Sequence, residues 1–129
     1  MEKVHIRPFR EKADMIMVAH LHCTCFDDEV IPASLSKNAV GYLRKNIGYQ
    51  GVVISDDMVM KGVQDFGAVD ACVMAILAGV DMFIYRNADK ETIDIIQGVL
   101  NRVEKNEQLK RRILESNERI KKLKQRYLL

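Results

Sequence analysis

Two adjacent carboxylates, Asp56 and Asp57, follow a run of apolar residues near the middle of the chain. Residues 52–54 show no polar alternation, which is typical of a parallel strand covered by helices on both faces. Catalytic side chains gather at the carboxyl ends of such strands, so the pair could provide acid, base or nucleophilic chemistry there. A helix cap or a turn after the strand is the alternative that involves no chemistry.

A second group of reactive residue types runs from His20 to Cys25, with the sequence His-Leu-His-Cys-Thr-Cys. Imidazole and thiolate are ligands that zinc and copper accept, so a metal-binding module is an alternative function. The spacing is not that of a zinc finger, and in an extended conformation the two His would face away from the two Cys. A strand end followed by a loop with small, partly buried cysteines is the favoured interpretation, and no metal is expected.

The segments that must position these residues alternate between strand-like and helix-like patterns. Three apolar runs are predicted to be strands: residues 15–19, ending at His20, residues 52–54 and residues 82–85. Four helices are predicted: one capped by Ser36 and closed by Gly48, one over residues 66–78 ended by Gly79, one capped by Asp89, and one over about residues 106–127. Residues 61–62 are predicted to lie in a loop. Three strand-helix units and a terminal helix predict an α/β fold with parallel strands.

Length and composition limit the chain to one globular domain. Its 129 residues are 48% hydrophobic and 29% charged, with two Pro and seven Gly, which excludes disordered and collagen-like classes. No apolar run is long enough to span a membrane, so no membrane partner is expected. Residues 1–5 are too polar for a signal peptide, which predicts a cytoplasmic location. Three cysteines are too few, and odd in number, for a disulfide framework.

Charge is unevenly distributed, although the net charge is only +2. Residues 102–129 contain ten Lys or Arg and four Glu, and the remainder of the chain has an acidic excess. A basic terminal helix can bind nucleic acid, so an interaction module is a further alternative. The same helix carries an apolar stripe suited to packing against the rest of the fold: Leu109, Ile113, Ile120, Leu123 and Tyr127. A solvated outer face is therefore the favoured interpretation, and no nucleic-acid partner is expected.

Several segments together resemble the catalytic domain of family 3 glycoside hydrolases, in its bacterial β-N-acetylhexosaminidase branch. They are residues 17–20 (Met-Val-Ala-His), 32–36 (Pro-Ala-Ser-Leu-Ser), 43–44 with 47–49, 51–58 and 75–82. The ending, residues 115–129, is similar to the helix that closes this domain. The β-glucosidase branch carries tryptophan where this chain has Asp57, which favours the hexosaminidase branch.

The resemblance implies a retaining hydrolase that needs no cofactor. Its carbohydrate substrate would be terminal β-linked N-acetylglucosamine, for example in peptidoglycan fragments. Asp56 matches the family's nucleophile, which forms a glycosyl-enzyme ester that water then displaces. To stay ionised, Asp56 needs hydrogen-bond donors or positive charge nearby. His20 could point into the substrate cleft, although a structural role is at least as well supported.

The resemblance also implies an incomplete (β/α)8 TIM barrel. A full barrel takes about 250 residues, and the strands here look like strands six to eight, so residues 1–129 are part of one catalytic domain. The family's preceding segment has a Lys-His-Phe-Pro-Gly-His-type motif that carries the acid/base histidine, and nothing in this chain matches it. We therefore predict little or no hydrolase activity from the chain alone. Outer strands that are apolar on both faces predict self-association or a complementing half-barrel.

Overall fold

The computed structural model describes residues 5–128, so most of the polar N-terminal stretch and the last residue of the closing segment lie outside it. The strands are β1 (Met15–Val18), β2 (Val52–Asp57) and β3 (Met82–Ile84). The helices are α1 (Lys37–Lys45), α2 (Lys61–Gln64), α3 (Ala68–Ala78), α4 (Lys90–Val103) and α5 (Glu107–Tyr127). None of these helices is long and apolar enough to cross a membrane.

The three strands form one parallel sheet in the order β1-β2-β3. Ile16 lies opposite Val53, and Met17 lies opposite Ile54. The β2–β3 pairing is irregular between Ile54 and Asp57. The α/β class and the parallel strand arrangement that the alternating pattern predicts are both confirmed.

The predicted helix ends are confirmed where cap chemistry defines them. The Ser36 hydroxyl accepts a hydrogen bond from Ala39 N at 2.9 Å, and the Asp89 carboxylate accepts one from Thr92 N at 3.0 Å. Gly79 ends α3 with a φ of 120°, a conformation that side-chain-bearing residues rarely adopt. The side chains of Ser36 and Asp89 thus define the starts of α1 and α4, and Gly79 defines the end of α3, as the sequence predicts.

Other predicted boundaries are corrected by the structure. β2 continues to Asp57, which pairs with Ile84, so Asp56 lies within the strand and not just past it. Residues 61–62, predicted to lie in a loop, belong instead to the short helix α2. Helix α3 begins at Ala68 and not near residue 66, because Gly67 has a φ of 78° and interrupts the helical backbone.

The core lies between the sheet and the helices, and it includes Ile16, Val53, Val40 and Ala75. Successive side chains of a strand point to opposite faces, so Met15 and Met17 lie on the face away from Ile16. They are 38% and 52% exposed. The expectation that residues 15–19 form a buried strand is therefore wrong at these positions, because only one face of β1 packs against the helices. We call this second side of the sheet, with Met15, Met17, Ile54 and Met82, the open face.

Candidate active site

Asp56 lies at the carboxyl end of β2, two residues after Ile54, in the stretch where the β2–β3 pairing is irregular. Its side chain is half-buried. Oδ1 of Asp56 accepts a hydrogen bond from the backbone N–H of Asp57 at 2.7 Å. A backbone donor of this kind stabilises the ionised carboxylate. Within the part of the chain that the structure describes, no Lys, Arg or His forms an ion pair with it.

The Asp57 carboxylate has a structural role. Its Oδ1 accepts hydrogen bonds from Val59 N at 3.1 Å and from Arg86 N at 3.4 Å. The guanidinium of Arg86 lies 3.5 Å from Oδ2. The carboxylate therefore joins the turn after β2 to the residues after β3. Asp57 is thus engaged in structural contacts that Asp56 does not share.

His20 is buried between the ends of β1 and β2, with 9% of its surface exposed. Its Nε2 donates to the carbonyl oxygen of Asp57 at 3.0 Å, so in a neutral ring Nδ1 accepts from the Ser34 hydroxyl at 2.6 Å. Gly62 packs closely on it, since a Cβ there would lie 2.9 Å from the His20 carbonyl oxygen. His20 thus holds the backbone of Asp57, whose N–H in turn binds Asp56.

The residues from His20 to Cys25 do not converge as metal ligands. His22 donates from Nε2 to the carbonyl oxygen of Asp27 at 3.1 Å, away from the ring of His20, which binds Ser34. The sulfurs of Cys23 and Cys25 are neighbours, 2.8 Å apart. Across residues 5–128, no three His, Cys, Asp or Glu side chains are grouped as a metal ion would require.

A buried ion cluster at the opposite end of the sheet is absent from the sequence-based predictions. The Asp81 carboxylate, directly before β3, is fully buried. Its Oδ2 accepts from Arg44 at 2.6 Å and from Val53 N at 2.9 Å. Its Oδ1 accepts from Ser116 at 2.7 Å and from Arg119 at 3.0 Å. The cluster therefore joins α1 and α5 to the sheet.

Arg112 completes this ion cluster, with Nη2 3.5 Å from Asp81 Oδ1. Burial lowers the pKa of Arg44, and the charge of Asp81 partly offsets that effect. The sequence signal was the spacing of Arg112, Ser116 and Arg119, which places all three on one helix face. That spacing alone does not indicate that the shared partner of these three residues is Asp81.

A cavity of about 940 Å³ lies at this same amino end of the sheet, with Asp14, Tyr49, Arg119 and Arg126 among its lining residues. Asp56 is not among them. In parallel barrels the amino ends of the strands serve stability, whereas chemistry occurs at the carboxyl ends. We therefore assign the candidate site to the carboxyl end of β2 around Asp56, and not to this cavity.

The family model "Glycosyl hydrolase family 3 N terminal domain" matches residues 1–123. The chain belongs to glycosyl hydrolase family 3. A β-hexosaminidase from Histophilus somni (strain 2336) is 34% identical over 125 residues, which cover 92% of this chain and 34% of that protein. One from Tolumonas auensis is 34% identical over 108 residues, covering 78% of this chain and 32% of that protein. The chain thus spans about a third of these relatives.

Solved structures of the family have the same fold in this region. A family 3 β-N-acetylglucosaminidase from Paenibacillus sp. str. FPU-7 has a TM-score of 0.80 at 33% identity, over 92% of this chain and 24% of that chain. The β-N-acetylglucosaminidase from Thermotoga maritima has a TM-score of 0.77 at 27% identity, over 90% of this chain and 27% of that chain. The family resemblance and the fold class predicted from the sequence are confirmed.

Proposed function

We propose that this chain supplies the nucleophile of a retaining β-N-acetylglucosaminidase. The observation that carries the proposal is the position of Asp56, a half-buried carboxylate at the carboxyl end of a parallel strand in a family 3 chain. The similar proteins are named β-hexosaminidases and β-N-acetylglucosaminidases. Terminal β-linked N-acetylglucosamine is therefore the proposed substrate group.

The geometry around Asp56 suits a nucleophile. The Asp57 N–H binds Oδ1 and stabilises the negative charge, while His20 holds the Asp57 backbone in place. Asp56 would attack the anomeric carbon and form the glycosyl ester, which water then hydrolyses. We propose His20 as a positioning residue for this step, because both of its ring nitrogens bind protein atoms.

The acid that protonates the leaving group must come from elsewhere in the complete enzyme. A retaining glycosidase places its two catalytic groups about 5–5.5 Å apart on either side of the scissile bond. The Asp57 carboxylate is held in the turn after β2 by Val59 N and Arg86, so we do not propose it as this acid. The chain alone should therefore be nearly inactive.

The exposed apolar side chains of the open face support our proposal that a complementing half-barrel is the partner of this chain. Met17 is half-exposed on edge strand β1, and burying a Met side chain contributes about 1.5–3 kcal/mol. The free edge of β1 also has backbone groups that another parallel strand could pair with. Further strands of the same barrel would satisfy both requirements, and self-association of the chain would satisfy them in part.

The test compares the 129-residue chain with a chimera in which it replaces the matching region of the Histophilus somni β-hexosaminidase. Both are assayed on a chromogenic β-N-acetylglucosaminide. We expect turnover from the chimera only. In the chimera, Asp56→Asn should lower kcat by at least the roughly 10²- to 10⁴-fold typical of a lost acid or base.

Azide separates loss of the nucleophile from loss of structure. This small anion should restore turnover to an Asp56→Ala chimera, because it can attack the anomeric carbon from the vacated side. Asp57→Asn is the matched control and should not be rescued. Near-normal turnover by Asp56→Asn would refute the nucleophile assignment. Strong turnover by the 129-residue chain alone would refute the need for a complementing part.

A further inference from the structure

Cys23 and Cys25 are held together by a reverse turn in the loop after β1. The carbonyl oxygen of Cys23 accepts from Phe26 N at 3.0 Å, which closes the turn. The two sulfurs lie 2.8 Å apart and share a hydrogen bond. Cys25 is exposed and Cys23 is partly buried, so the pair is a dithiol that small molecules can reach.

The rest of the loop is anchored independently of the two thiols. The carboxylate of Asp27 accepts hydrogen bonds from the Ser36 hydroxyl and, at 2.8 Å, from the side chain of Asn38. His22 donates to the Asp27 carbonyl oxygen. Because these contacts fix the backbone on one side of the turn, the two sulfurs are kept as neighbours. A disulfide of about 2.05 Å needs only a small further approach.

We propose that Cys23 and Cys25 form a reversible dithiol-disulfide site that reacts with low-molecular-weight disulfides such as glutathione disulfide. This site is separate from the proposed glycosidase chemistry and does not depend on it. It lies in the loop that follows His20, at the same end of the sheet as Asp56.

The reaction balances through two thiol-disulfide exchanges. The thiolate of Cys25, the more exposed residue, attacks one sulfur of glutathione disulfide and releases one glutathione thiol. The thiolate of Cys23 then attacks the Cys25 sulfur and releases the second glutathione. The protein loses two protons and two electrons, and one glutathione disulfide takes them up to become two glutathione thiols.

The third cysteine, Cys72, lies in a different environment from the Cys23–Cys25 pair. It is buried in α3, and its sulfur lies 3.2 Å from the Tyr85 hydroxyl. Burial raises the pKa of the Cys72 thiol, and the hydrogen bond with Cys23 raises the pKa of the Cys25 thiol, so the two differ in access: the Cys72 sulfur is buried, whereas Cys25 is exposed to small molecules. Cys72 should therefore stay reduced under conditions that oxidise the pair in the loop.

The experiment treats the folded chain with reduced or oxidised glutathione, then acidifies, unfolds and alkylates it before measuring its intact mass. The reduced chain should take three alkyl groups. The oxidised chain should take one, on Cys72, and its mass before alkylation should be lower by two hydrogens. Cys72→Ser should keep the crosslink and take no alkyl group when oxidised.

Variants of the pair complete the test. Cys23→Ser should stop at a mixed disulfide with glutathione on Cys25, and Cys25→Ser should fail to form the internal bond. Dithiothreitol should restore all three thiols of the oxidised wild-type chain. Three alkylated thiols after oxidation, a persistent wild-type mixed disulfide, or a bond between two chains would each overturn the proposal.

Discussion

Replacing Asp81 with asparagine would leave the guanidinium groups of Arg44, Arg112 and Arg119 around a neutral amide. In the native chain the Asp81 carboxylate is fully buried, and the three arginine side chains are only 15%, 14% and 23% exposed. Removal of one partner from a buried ion pair costs about 3–5 kcal/mol, because it leaves charge that is neither paired nor well hydrated.

The partial exposure of the three arginines places the expected loss near the lower end of this range. Water can reach part of each guanidinium, and an asparagine side chain keeps one carbonyl oxygen as an acceptor. We therefore expect Asp81→Asn to lower the free energy of unfolding by about 3 kcal/mol. A domain of this kind has about 5–15 kcal/mol in total, so the loss would be a large part of its stability.

Urea unfolding followed by circular dichroism measures this loss. With a slope of about 2 kcal/mol per molar urea, the midpoint should fall by about 1.5 M. Asp70→Asn is the matched control, because Asp70 forms an ion pair with Arg102 at 2.9 Å in which both side chains are more than half exposed. That change should cost less than about 1 kcal/mol. Equal losses for the two variants would refute the stabilising role of the buried ion cluster.

Two further predictions concern a helix cap and a glycine. The backbone hydrogen bond from Thr92 lowers the pKa of Asp89 below its usual 3.8, so its stabilising effect is present above that pH and is lost as pH falls through the folded-state pKa. Asp89→Asn keeps a helix cap that does not titrate. On acidification to about pH 3, the urea midpoint of this variant should therefore fall less than that of the wild type. An equal fall in the urea midpoints of the two proteins would contradict this prediction. Gly62→Ala should cost about 1–3 kcal/mol in urea unfolding, because the added Cβ would crowd His20. Gly41→Ala, where the added Cβ meets nothing within 4 Å, should instead stabilise α1 by about 0.5–1 kcal/mol, and the same loss at both glycines would disprove the packing argument.

The elements that depend on local chemistry were accessible from the sequence. Apolar runs predicted the strands, and Ser36 and Asp89 predicted helix starts, because a cap bonds to a backbone N–H three residues away. The short helix α2 and the exposure of Met17 were not accessible. Helix α2 has only four residues, too few to show a helical period, and the exposure of Met17 depends on which face of the sheet the rest of the chain covers.

The candidate site was likewise only partly predictable from the sequence. Asp56 could be selected as a candidate from the apolar run before it and from the family motif, and the structure puts it within β2 at the carboxyl end of the strand. The partners of Asp57 and His20 could not be predicted, because Arg86 is 29 residues from Asp57 in the chain and Asp57 is 37 residues from His20. These contacts exist only once three strands lie side by side.

By itself, the sequence determined the family and the parallel α/β architecture, and it predicted Asp56 as the nucleophile. The tertiary structure alone decided the different contacts of the acidic residues. Asp56 binds the backbone N–H of Asp57, Asp57 fixes a turn, and Asp81 is buried among three arginines. The physical reason is that the energy and reactivity of a carboxylate depend on its hydration and on the donors around it, which segments far apart in the chain supply.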